Sequence, residues 1–118
     1  MPLNNPATAG PTHQSEVTAS RALNTIYRNT TGVTLYVAAT FLCYVANTSE
    51  RARATSYTDP ENPPTTSINW AGYANATPPE SLINDSLFLV VLPGNYYKID
   101  RDVSGVGTVT LVRWIEWY

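Results

Sequence analysis

The sequence predicts an all-β fold, an antiparallel β-sandwich or jelly-roll-like barrel of about seven strands with an extended N-terminal arm. Three observations carry the prediction. β-Branched and aromatic residues are plentiful, with eight Tyr, three Trp and two Phe among 118 residues. Strand signals recur roughly every 8 to 15 residues. No stretch shows the helical period.

Residues 1–22, "MPLNNPATAGPTHQSEVTASRA", are rich in Pro, Ala, Thr and Asn and have neither alternating nor helical periodicity, so they read as an extended docking and assembly arm with Leu3 and Val17 as apolar anchors. The sandwich domain takes residues 23–118. It opens with "LNTIYRN", a turn at "NTTG" (29–32) and "VTLYVAATFLCYV" (33–45), which together read as a hairpin. In the second run Val33, Leu35, Val37, Ala39, Phe41 and Cys43 are all apolar, whereas the alternate positions are mixed. One face therefore meets the core, and the other is partly wet or meets another subunit.

"RARATSYT" (51–58) reads as a polar strand. The prolines of "DPENPPTT" make residues 59–67 a loop, because proline cannot donate to a central ladder. Residues 67–86 hold one short strand at most, Ser67 to Ala71, and otherwise read as a surface excursion carrying Trp70 and Tyr73. "SLFLVVL" (86–92), "NYYKID" (95–100) and "TVTLVRWIEWY" (108–118), tightly joined, read as a three-stranded meander. In the last strand, alternation puts Val112, Trp114 and Tyr118 on one side and Val109, Leu111, Ile115 and Trp117 on the other. Both sides are more apolar than a two-layer monomer of this size can cover, so Trp114, Trp117 and Tyr118 are expected in core or interface, and the chain is expected to form a homo-oligomer, a trimer.

Composition excludes several functions. Only 14% of residues are charged and the net charge is −2, which leaves no basic stripe for nucleic acid. No apolar run approaches the ~18 residues of a membrane-spanning helix, and Met1 is followed by neither a basic nor an apolar leader, so no membrane insertion is expected. Cys43 stands alone in an apolar run as a small buried hydrophobe; the chain thus has no disulfide framework, as suits a reducing cytoplasm. With a single His13 in the arm, a catalytic triad would have to be built between subunits and a zinc site cannot close, and no cofactor is expected. Asp100 with Asp102, and Asp59 with Glu61, read as turn carboxylates that cap amides or offer oxygens to calcium. Facing carboxylates keep a glycan-active enzyme as a minor alternative. What remains is a surface of aromatics with Asn, Thr and Arg, the composition that holds neutral sugars or another protein; Tyr57, Trp70, Tyr73 and Asn75 are the receptor- or glycan-binding candidates.

Three segments, "IYRNTTG", "LPGNYYKI" and "RWIEW", resemble in order and spacing the small β-rich tip domains of bacteriophage tail fibres and related virion surface proteins. The match rests on Tyr27, Asn29, Thr30, Thr31 and Gly32; on Pro93, Gly94, Tyr96, Tyr97 and Lys98; and on Trp114 and Glu116, with Ala52, Ala54, Pro63 and Pro64 resembling an Ala-rich strand and Pro-Pro turn. The resemblance implies a non-enzymatic virion protein, made in the host bacterial cytoplasm and displayed on the particle's outer surface. Its task would be attachment to a host surface glycan or protein, with the N-terminal arm contacting other virion proteins; capsid decoration, stabilising the shell, is the alternative. "LPGNYYKID" itself reads as a scaffold corner, with Pro93 fixing φ and Gly94 supplying the turn.

Overall fold

A computed structural model describes residues 10–47, 49–74 and 81–118. Its elements are β1 (Gln14–Glu16), a 3-10 turn (Thr18–Ser20), β2 (Tyr27–Arg28), β3 (Leu35–Val45), β4 (Ala52–Asp59), β5 (Ser67–Tyr73), β6 (Ser81–Val91), β7 (Tyr96–Val103) and β8 (Thr108–Trp117). They form two four-stranded antiparallel sheets, sheet I in the order β1-β8-β3-β6 and sheet II in the order β2-β7-β4-β5. β1 pairs with β8, β2 with β7, β3 with β6 and β4 with β5. The chain is thus one long hairpin, closed at the β4–β5 end and wound across two sheets, which is the jelly-roll topology.

The all-β sandwich stands as the sequence predicts it, with eight strands among the described residues instead of about seven. The added strand, β1, is three exposed residues long and carries no alternation to read. From Thr12 onward the N-terminal segment is extended and lies along the sandwich. Thr12 and His13 donate to the Tyr118 carbonyl, β1 pairs with the end of β8, and the Val17 amide donates to the Trp114 carbonyl. Val17 also packs against the core. Leu3 lies outside the described residues.

Three local expectations are corrected. "NTTG" is not a hairpin turn: β2 pairs with β7 and β3 with β6 and β8, so residues 29–32 carry the chain from sheet II to sheet I. The same turn residues serve both purposes, and only distant partners decide between them. Likewise 86–118 is not a meander, because β6 and β8 belong to sheet I and β7 to sheet II. The excursion after Trp70 is also shorter than expected, since β5 runs to Tyr73 and β6 begins at Ser81.

Strand β3 buries its odd positions as its alternation requires; Val37, Phe41, Cys43 and Val45 are fully covered. Against them come Leu89 and Val91 of β6, Trp114 of β8, and Ala52, Ala54, Tyr97 and Ile99 of sheet II. In β8 the expected division of faces fails at a bulge. Thr40 is opposite Arg113 but Phe41 is opposite Leu111, leaving Val112 as an extra, exposed residue. The bulge reverses the alternation, so Val109, Leu111, Trp114 and Glu116 all lie opposite inward positions of β3.

Candidate functional site

The three segments that carry the resemblance meet at one end of the sandwich. The Asn29 side-chain amide donates to the carbonyls of Val33 (2.7 Å) and Val91 (3.0 Å), and its Oδ1 accepts from the Thr31 amide and hydroxyl. Asn29 also exchanges backbone bonds with the Pro93-Gly94 corner, donating to Asn95 and accepting from Gly94. Gly94 sits at φ +79°, a left-handed conformation that favours glycine. Beside it the Tyr27, Tyr97 and Trp114 rings pack with centroids 5.7 to 6.5 Å apart.

Under these rings lies the Glu116 carboxylate, in a side chain only 8% exposed. Oε2 accepts from Tyr97 Oη (2.9 Å), Trp114 Nε1 (2.9 Å) and Arg21 Nε (3.0 Å), and Oε1 accepts from Arg21 Nη2 (2.9 Å). Trp114 and Glu116, two apart on one strand, share a face, which is why the Trp-x-Glu spacing works. Arg21 also lies 4.7 Å over the Tyr27 ring, and the Tyr27 hydroxyl accepts from the Ala22 amide. Burial, then the neighbouring carboxylate, pushes the Tyr97 phenol well above its ordinary value. Four donors already occupy this carboxylate, so the cluster clamps the N-terminal segment to the sandwich. Sequence reasoning named Trp114 and Glu116 but missed Arg21, whose partner is 95 residues away.

The candidate ligand face is the outer face of sheet II. Register places Trp70 and Asp100 on either side of Thr55, with Tyr57 opposite Lys98 and Arg53 opposite Asp102. Arg53 Cζ lies 5.1 Å from the Trp70 ring centre, and Lys98 Nζ lies 4.8 Å from that of Tyr57. Each cation also reaches a carboxylate at 2.8 Å, Arg53 to Asp102 and Lys98 to Asp100. Asp102 accepts from Arg51 as well, and although burial raises its pKa, the two guanidiniums hold it below the usual carboxylate range. The result is two cation-capped rings within a near-neutral lattice. Trp70 remains 48% exposed. Between the rings, Thr55 Oγ1 is the buried side-chain polar atom among the described residues with no hydrogen-bond partner.

Of the sequence candidates, Tyr57 and Trp70 come together here. Tyr73 does not: it is opposite Ala52, an inward position, and packs against the core. Asn75 lies outside the described residues. Trp114 is in the core, Trp117 donates from Nε1 to Gln14 on sheet I, and Tyr118 stacks on His13 with centroids 4.9 Å apart. Asp100 and Asp102 flank no turn but stand on β7. Asp59 accepts from the Glu61, Thr65 and Thr66 amides and so shapes its own loop. Among the described residues no three His, Cys, Asp or Glu side chains converge on a metal-sized site, and no helix is long and apolar enough to cross a membrane.

Fold and surface together define a jelly roll with a clamped N-terminal segment and an exposed aromatic, ion-paired sheet face. No protein-family model, curated protein or solved structure matches the chain.

Proposed function

We propose that the chain is a non-enzymatic bacteriophage virion structural protein, a homotrimeric tail-fibre tip domain that attaches the particle to a glycan or protein of the host surface. The observation that carries the reading is the outer face of sheet II, where the exposed Trp70 and the half-buried Tyr57 stand on either side of Thr55. Exposed rings stack on the apolar faces of sugars, while the paired Arg53, Lys98, Asp100 and Asp102 offer donors and acceptors to hydroxyls without net charge. The segments resembling fibre tips supply the scaffold behind that face.

The test is binding of the purified protein to host envelope glycans and to whole host cells. Trp70→Ala and Tyr57→Ala should each weaken binding by about 30-fold, the effect of losing a ~2 kcal/mol hot-spot residue, with the melting temperature unchanged. Full binding by the double variant would remove this face from the account.

The extended N-terminal segment favours a second reading, a capsid decoration protein whose arm contacts other virion proteins. In that reading β1, an edge strand laid along β8, anchors the arm to the sandwich.

A further inference from the structure

Among the described residues the outer face of sheet I stays largely open, with Pro11 of the N-terminal segment beside Tyr36, Phe88 and Trp117 at one end. On β6 the outward residues Leu82, Phe88 and Val90 are 59%, 50% and 44% exposed, and Val112 at the β8 bulge is 50% exposed. On β3 the outward positions, among them Tyr36 and Leu42, are only partly covered. Strand β3 thus has an apolar inward face and a mixed but uncharged outward one, which suits a strand covered on both sides.

We propose that this face is where copies of the chain meet, each turning sheet I toward its neighbours, which locates the contact surface of the oligomer named under Proposed function. Three features point to a second copy as the occupant. The first is size: β3 and β6 are each 11 residues long. At ~3.3 Å per residue and ~4.8 Å per strand, the three long strands present a face of about 35 by 15 Å, or about 500 Å² before side-chain relief. Relief brings this close to the ~800 Å² per partner of a stable interface.

The second is charge. Every outward residue on β3 and β6, from Tyr36 to Tyr44 and from Leu82 to Val90, is uncharged. On β8, Arg113 has its own counter-ion, Glu16, at 3.7 Å, so two copies bring no unpaired like charges together. The third is polar satisfaction. The Thr40 and Ser86 hydroxyls at the centre of the face bond each other at 2.9 Å, and so can leave water without losing a partner. Tyr36 and Phe88 stack within one copy, centroids 6.1 Å apart, as a preformed aromatic platform.

Sedimentation velocity from 1 to 100 µM tests the inference. The wild type should sediment as an oligomer, and Phe88→Asp should weaken association at least ~100-fold while keeping the β-sheet circular dichroism. Val112→Asp, on another strand, repeats the test if Phe88→Asp fails to fold. Trp70→Ala, on the opposite face, should stay oligomeric. A wild type that is monomeric at 100 µM overturns both this inference and the trimer. An oligomer indifferent to both Asp substitutions overturns the inference alone, and neither result depends on glycan binding.

Discussion

Removing the Glu116 carboxylate should strongly destabilise the fold. Glu116→Ala leaves Tyr97 Oη and Trp114 Nε1, in residues 1% and 0% exposed, without their acceptor. Each unsatisfied buried donor costs about 1–3 kcal/mol. Arg21, whose side chain is 21% exposed, partly rehydrates, so its loss adds only about 1 kcal/mol. The total, about 4 kcal/mol, falls within the range for breaking one partner out of a buried ion pair. At ~4 °C per kcal/mol for a domain of this size, the melting temperature should fall by about 15 °C. Glu116→Gln, which keeps one acceptor, should cost about half as much. Differential scanning calorimetry reads both variants, and a double-mutant cycle with Arg21→Ala should return a coupling of at least ~1 kcal/mol. A Glu116→Ala melt within ~2 °C of wild type, or additive effects in the cycle, would refute the clamp.

Two further outcomes follow from local geometry. Gly72 lies at φ +121°, and a Cβ there would strike the Ala52 carbonyl oxygen and come within 2.8 Å of Arg53 Cα; Gly72→Ala should therefore cost ~3 kcal/mol through strain and overpacking, read as a lower urea midpoint at unchanged slope. Acid should also destabilise the fold. The Val106 amide, with those of Ala46 and Asn47, holds the Glu50 carboxyl at about 2, and Asp59, although burial pushes it up, is drawn down to about 2 by the Thr65, Thr66 and Glu61 amides. Unfolded values are ~4.3 and ~3.9. Both folded values are depressed, so this stabilisation is complete above about pH 5 and is lost as pH falls toward 2. Melting temperature against pH should decline across that window, and Glu50→Gln should flatten part of the decline.

What the sequence made legible is what alternation within one strand encodes. The inward face of β3 could be read residue by residue because its apolar period is two and its pairing with β6 is unbroken. β8 has the same composition, but its bulge adds one residue and reverses the faces, and nothing local in "TLVRW" announces it. Pairing across sheets was not legible, because "NTTG" and "LPGN" are turn chemistry whether the next strand stays or crosses. In the candidate site, Trp70 and Tyr57 converge through strand register, whereas Tyr73 lies an odd number of residues from Trp70 and so faces the other way once β5 runs to Tyr73. That signal was present in the sequence but applies only to a strand, and the segment reads as a loop. The Glu116 clamp was hidden because its Arg21 lies in a segment with no periodicity.

The most direct test of the attachment reading is a reconstruction of the virion at a resolution that places this jelly roll. Density is expected at the tip of a tail fibre, copies joined through sheet I, with Trp70 and Tyr57 of sheet II facing outward. Density on the capsid lattice, with the N-terminal segment running beneath neighbouring shell subunits, would contradict it and make the chain a decoration protein.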